Sequence, residues 1–351
     1  TVWSLWKQMR AMNGASSDDE DAGDAPVRPL FDVVVIDEAS QMKVADSLIA
    51  LSSIRRGGRV ILCGDDRQLA PIFRGSYDAD NTLFGSAFSH FSAKFGHFML
   101  RESRRMNRAL VRYPRRVFYP GLVSKVPDWR LTLRTADAFA DPLDALLWDT
   151  FFRPDDAVVF CTYDGVRATA RNPFEAGLVA RLARLAREAM RDPSTGAPYT
   201  AGAFRAHAFA AISPHRAQNS AILRELVAGG WPRDELPVVD TVERMQGNER
   251  EMIVVSYAVA DREYAEREAS FLLNPNRFNV AITRPRAKLV VFLSQDVLRT
   301  LPRDEQVMSA SLAVKGYAEA AGLVRHIELP ALDGTTVTAR CHLWKLDPPP
   351  G

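Results

Sequence analysis

Cysteine, net charge and long apolar runs are all scarce in this 351-residue chain. The three cysteines, Cys63, Cys161 and Cys341, are far apart, lack metal-ligand spacing and cannot make a disulfide framework, so a reducing, cytoplasmic setting is expected. No apolar run approaches the ~20 residues a membrane helix needs, so no membrane partner is expected. The opening TVWSLWKQMR has neither the basic start nor the long apolar core of a secretory signal. Net charge is only +2, so any surface for a polyanion must be a local groove rather than a field of the whole molecule. Internal repeats and extended low-complexity tracts are also missing. What remains is an ordinary globular composition, 47% hydrophobic and 25% charged, with enough length for two domains.

Residues 13–29 (NGASSDDEDAGDAPVRP) are acidic and rich in small residues, which reads as a solvated loop. Asp18, Asp19, Glu20 and Asp21 could hold a metal, but clusters of this kind usually face solvent. Short apolar runs of the kind found in buried parallel strands follow: Phe31–Ile36, Arg59–Cys63, Ala157–Cys161, Ala206–Ile212, Leu236–Asp240, Met252–Tyr257 and Lys288–Leu293. Helical patterns lie between them, over Val44–Ser53 and most clearly over Asn172–Arg191. There Asn172 can cap, Pro173 suits the first turn, and Leu178, Val179, Leu182, Leu185, Ala186 and Ala189 recur at helical spacing. Strands alternating with helices predict an α/β fold with parallel sheets covered on both faces. The gap at 101–156 suggests two sheets.

The first run, VVVIDEASQ (33–41), ends in two carboxylates, Asp37 and Glu38. At the carboxyl end of a strand, one acid can hold Mg²⁺ and its neighbour can orient or deprotonate an attacking water. An acidic turn after a strand is common, and this pair alone decides nothing. A second run, RVILC, ends in GDDRQLAP (64–71). Gly64 permits a tight turn, Asp65 can reach the neighbouring strand end, and Gln68 can both donate to a γ-phosphate and accept from its water.

Together these stretches resemble motifs II and III of superfamily 1 helicases, in particular the branch of the nonsense-mediated-decay helicase, whose members typically move 5′ to 3′. The resemblance continues in order through LRESRRMN (100–107), ISPHRAQ (212–218), VVDTVERMQGNEREMIVVS (238–256) and RFNVAITRPRAKLVVF (277–292). Departures are Arg104 where an aromatic residue is frequent, His215 for an aromatic and Pro285 for alanine. Six motifs in order, over most of residues 31–293, make a specific signal.

The resemblance implies two RecA-like parallel-sheet domains, the first incomplete: 1–100 as the rear part of domain 1, 101–300 as domain 2 and 301–351 as a C-terminal tail. It implies ATP and Mg²⁺, with Asp37 on the metal, Glu38 and Gln68 catalytic, and Arg105 and Arg284 as cationic fingers toward the γ-phosphate. Asp65, Gln246, Gly247 and Glu249 fall at nucleotide-binding positions, Glu249 accepting from the ribose. Arg277 and Arg286 are read as structural. Thr1, Ser213, His215 and Thr241 match positions that touch a single-stranded DNA or RNA backbone. The six tryptophans, Trp129 among them, could supply stacking platforms, but most are read as core or interface residues.

A glycine-rich GxxxxGK[ST] loop, the usual partner of such acids, occurs nowhere in the 351 residues. The sequence is therefore expected to be a C-terminal portion that starts after the phosphate loop of the same polypeptide. Two functions stay open: an ATP-dependent helicase or translocase in the intact parent, or a non-catalytic nucleic-acid-binding or scaffolding module descended from one.

Overall fold

The computed structural model describes residues 2–12, 29–72, 83, 85–134, 139–331 and 334–346. The expectations placed on Thr1 and on Asp18–Asp21 lie outside the described residues. The chain divides into two compact units, Thr1–Met99 and Leu100–Gly351.

The first unit contains α1 (Val2–Met12), β1 (Phe31–Ile36), α2 (Val44–Leu51), β2 (Ile54–Leu62) and α3 (Ala87–Phe95). β1 and β2 pair in parallel, ending with Ile36 opposite Leu62. Its core is small. Ile36, Ala39 and Ala50 are buried, with Leu5, Val34, Met42, Leu62 and Phe88 packed against them. Sheets covered on both faces were expected, but Val33, Val35, Val60 and Ile61 are 50%, 60%, 40% and 50% exposed.

In the second unit, β3 (Glu102–Ser103), α4 (Arg108–Val117), β4 (Val123–Ser124) and α5 (Pro142–Phe151) lead into β5 (Asp156–Tyr163) and α6 (Pro173–Ala189). Then come α7 (Ala201–Ala203), β6 (Phe209–Ile212), α8 (Arg216–Ala228), β7 (Val238–Asp240), α9 (Val242–Met245) and β8 (Arg250–Ser256). α10 (Arg262–Arg267), α11 (Ala269–Leu272), α12 (Pro275–Ile282), β9 (Pro285–Ser294) and α13 (Gln295–Arg299) follow. The unit closes with α14 (Glu305–Glu319), β10 (Leu323–Pro330) and β11 (Thr336–Lys345). One seven-stranded sheet runs β10-β11-β5-β9-β8-β6-β7. β5, β9, β8, β6 and β7 are mutually parallel, and β11 runs antiparallel to both its neighbours.

The local chemistry explains most of these elements. Every residue of β5 is buried, as a central strand covered on both faces requires. α6 starts where expected: Asn172 Oδ1 accepts from Glu175 N and Pro173 occupies the first turn. Its buried stripe includes Leu178, Val179, Leu182, Leu185, Ala186 and Ala189.

Three segments differ from expectation. The apolar run 206–212 is not all strand: Phe204–Ala208 form a π-helical turn, and β6 begins at Phe209. A short apolar run does not separate helix from strand by its pattern. The freed Arg205 carbonyl accepts from Arg250 Nε at 2.8 Å. β7 begins at Val238 rather than Leu236, since Pro237 has no N–H to pair. Residues 301–346, set apart in the sequence as a tail, lie within the second unit, and β11 pairs directly with β5. Among the described residues no helix is long and apolar enough to cross a membrane.

Candidate functional site

The acids of the first unit sit in a turn pinned to the neighbouring strand end. Cys63 N donates to Ile36 O, and Ala39 N donates to Cys63 O, both at 2.8 Å. Between those bonds Glu38 adopts φ +52°, the left-handed region that a glutamate enters only when its surroundings impose it. Asp37 Oδ1 accepts from Glu38 N at 2.9 Å, and Glu38 Oε2 accepts from Gln41 Nε2 at 3.2 Å. On the second strand end, Asp65 accepts from Arg67 N at 2.9 Å and from Gln68 Nε2 at 2.7 Å. Gly64 lets these two turns close up. A Cβ there would lie 2.8 Å from the Phe88 ring and 3.0 Å from Ser40 N. Asp37, Glu38, Asp65 and Gln68 thus occupy two adjacent carboxyl strand ends.

In the second unit the nucleotide-type residues lie at the amino edge of the sheet, just before β8 and β9. Glu249 accepts from Arg105 Nε at 2.5 Å and stands 3.7 Å from Arg286. Arg105 also donates to Thr283 O at 3.1 Å. The Arg286 guanidinium lies 4.1 Å from the Trp129 ring centroid, a cation–π stack. Gln246 and Gly247 turn the chain into this cluster, and Gly247 has φ +77°, which its lack of a Cβ allows. Arg284 behaves differently from an outstretched finger. Its side chain is buried, donating from Nε to Val280 O at 3.0 Å and from a terminal nitrogen to Thr283 Oγ1 at 3.1 Å. Arg105, Glu249 and Thr283 therefore meet, while Arg284 is folded back onto the end of α12.

The residues matched to nucleic-acid contact follow β6 and β7, at the carboxyl edge of the same sheet. Ser213 is fully buried, and its Oγ accepts from His215 N at 3.3 Å. The His215 ring packs 5.5 Å from Phe271 and 6.2 Å from Tyr264. Burial lowers its pKa, reinforced by Arg277 and opposed by Glu268. Thr241 is buried, with its N–H given to Asp240 Oδ1 at 2.8 Å. Direct phosphate contact was expected from Ser213 and His215, but both side chains turn into the unit. That leaves Arg216 as the exposed charged side chain of the segment.

The sequence reading missed several groups. Arg286 and Trp129 join the Glu249 cluster, although both were read as structural. A buried network around Glu175 ties α6, α8 and the ends of β5 and β8. Burial pushes Glu175 up to about 7, against the pull of its three donors. Its only sequence signal was the Asn-Pro-x-Glu start of α6, which reads equally well as a plain helix cap. Among the described residues no group of three or more His, Cys, Asp or Glu side chains converges as a metal cage. Mg²⁺ in nucleotide sites generally takes one or two carboxylates beside phosphate and water oxygens, so Asp37 with a neighbouring acid fits that donor set.

A parallel sheet, helices returning between its strands and charged motifs at the strand ends define the class as RecA-like α/β domains. A family model described as an AAA domain matches residues 79–296, and a second of the same description matches 19–74. The chain belongs to this AAA domain family, among the superfamily 1 helicases. A probable helicase of Dictyostelium discoideum is 30% identical over 265 residues, covering 74% of this chain and 24% of that protein. The ATP-dependent helicase NAM7 of Saccharomyces cerevisiae is 26% identical, over 77% of this chain and 26% of its own length. The human DNA replication ATP-dependent helicase/nuclease DNA2 is 26% identical, over 80% of this chain and 26% of its own length. The chain spans about a quarter of each of these relatives.

Proposed function

We propose that this chain is part of an ATP-dependent helicase or translocase on single-stranded nucleic acid. The observation that carries this is the pair of pinned strand ends, with Asp37 and Glu38 on one and Asp65 and Gln68 on the other, in a member of this family. Asp37 would hold the Mg²⁺ that accompanies ATP, and the metal would supply charge neutralisation to the phosphates. Glu38 would orient water or take its proton, and Gln68 would sense the γ-phosphate. Within the second unit, Arg105, Glu249 and the Gln246–Gly247 turn would serve a nucleotide's phosphates and ribose, with Arg284 joining them once it leaves the end of α12. The exposed Val33, Val35, Val60 and Ile61 side chains support further strands of the same domain as their cover. Those strands would bring the phosphate loop, and the relatives' greater length leaves room for them.

The test uses a longer protein that carries both a GxxxxGK[ST] loop and this chain. Glu38→Gln should lower ATP turnover by a factor of about 10²–10⁴ with nucleotide binding retained. Asp37→Asn should instead weaken Mg²⁺-nucleotide binding. Wild-type turnover in Glu38→Gln removes the assignment. A second reading, a non-catalytic binding module, is favoured by the inward Arg284 and the Arg105–Glu249 pair, which occupy the cations a γ-phosphate would need. Unchanged nucleic-acid binding with no phosphate release in the longer protein would select it.

A further inference from the structure

Asn172, Glu175, Gln218 and Ser256 are each fully buried at the carboxyl edge of the second unit's sheet. Glu175 accepts from Tyr163 Oη at 2.5 Å, Ser256 Oγ at 2.5 Å and Ala258 N at 2.9 Å. Asn172 gives its amide hydrogens to Tyr163 Oη at 2.8 Å and Ala258 O at 2.9 Å. Gln218 Oε1 accepts from Asn172 N at 2.7 Å, while Gln218 Nε2 donates to Asn172 O at 3.1 Å and Ser256 Oγ at 2.9 Å. Tyr163 and Ser256 each accept from one amide and donate to Glu175, so these two relays run toward that carboxylate. With its amide and carboxylate groups matched in this way, the network fixes the geometry of the loops it joins. It also holds Ala258 at φ +67°, a conformation that alanine disfavours.

The network sets the place of two cations. Arg171 directly precedes Asn172, and Arg216 lies two residues before Gln218, so the Asn172–Gln218 bonds tie the two positions together. Both arginines are exposed, and among the described residues neither makes an ion pair. Other arginines of this edge are engaged: Arg167 with Asp261 at 3.3 Å, Arg244 with Asp240 at 3.3 Å and Arg277 with Glu243 at 2.8 Å. Ser213 and His215 face inward. Among the described residues the edge therefore offers Arg171 and Arg216 as a linked pair of guanidinium groups with no ion pair of their own, which suits an anion that repeats along a chain.

We propose that Arg171 and Arg216 form a paired phosphate-contact site for a single-stranded nucleic-acid backbone, and that Glu175 is the positioning residue that holds the pair in place through Asn172 and Gln218. This rests on the nucleic-acid reading above and adds Arg171 and the buried network to it. Contact of this kind ignores base edges, so DNA and RNA should bind alike.

The test is fluorescence anisotropy of the 351-residue chain with labelled oligo-dT and oligo-U across a salt series. Arg171→Gln and Arg216→Gln should each weaken binding and each lower the slope of log K against log salt by about one, the double variant by about two. An unchanged slope in Arg171→Gln overturns the site, and weakening confined to one strand type overturns pure backbone contact. Glu175→Gln replaces one of the two oxygens that accept from Tyr163, Ser256 and Ala258. It should weaken binding in the parent background and add nothing in the double-arginine variant. An equal loss in both backgrounds would mean a purely structural role and overturn the positioning claim. If Glu175→Gln does not fold, Tyr163→Phe goes through the same cycle. Failure of the parent chain to bind either strand would bring down the nucleic-acid reading itself. Parent binding that neither arginine affects would remove only this inference.

Discussion

β1 and β5 have nearly the same kind of sequence, FDVVVI and DAVVFCTY, and opposite surroundings. β5 is buried along its whole length between β9 and β11, whereas among the described residues β1 pairs with β2 alone and keeps Val33 and Val35 exposed. A run of β-branched residues states a demand for cover on two faces. The second unit meets that demand from its own helices and strands, including the two supplied by 323–345. Among the described residues the first unit meets it on the side of Ile36, Ala39 and Ala50. Similar strands can thus be a finished core in one place and half of one in another. The difference lies in the strands beside them.

The comparison breaks most sharply by placing a charge on each strand. Val159→Asp, at the centre of the enclosed sheet, should destabilise the second unit by more than about 4 kcal/mol, because an unpaired carboxylate is buried there. Chemical denaturation followed by circular dichroism checks this. Next in size is a pH effect that the enclosed unit alone should show. Folding raises the Glu175 pKa from 4.5 to about 7, so the folded state holds this proton more tightly. Its contribution is fully present below about pH 4.5 and is lost as pH rises through 7. Relative to Glu175→Gln, the parent should therefore lose on the order of 3 kcal/mol across that window and stay level above it. Denaturation midpoints of the two proteins against pH give the difference. Tyr163 and Cys161, the titratable neighbours on β5, have raised pKa values and stay neutral throughout.

Smaller effects belong to the open unit. Gly64→Ala should cost about 1–3 kcal/mol, since its methyl meets the Phe88 ring and the Ser40 backbone, and Phe88→Ala in the same chain should recover part of that loss. Val35→Asp, on the exposed face, should change stability by no more than about 0.5 kcal/mol, and should reduce the binding of an apolar dye. A large loss from Val35→Asp would mean that β1 is already covered.

Much of this was legible in residue order. The parallel strands, the Asn172–Pro173 helix start and the strand-end placement of Asp37 and Asp65 follow from local patterns that need no knowledge of neighbours. β10 escaped because LVRHIELP alternates weakly and carries an Arg, a His and a Glu, as befits an edge strand. The π-helical turn at Phe204–Ala208 escaped because its apolar residues serve either conformation. Partner choice was hidden more deeply. Nothing in a one-dimensional sequence says that Arg105 meets Glu249, 144 residues away, or that Glu175 collects donors from Tyr163, Ser256 and Ala258. Such pairings follow from tertiary closure. The same closure turned Ser213, His215 and Arg284 inward where motif matching aimed them outward.

The backbone of Glu38 is a small loaded spring. At φ +52° a glutamate sits about 1 kcal/mol or more above its relaxed state, held there by the bonds on either side of it. Folding on its own would prefer glycine at this place. Selection for stability alone should therefore drift toward Glu38→Gly, giving a sturdier first unit that has lost the carboxylate proposed to handle water. A variant library screened only for thermal resistance would erase this residue early, while a library screened for turnover would keep it and accept the strain.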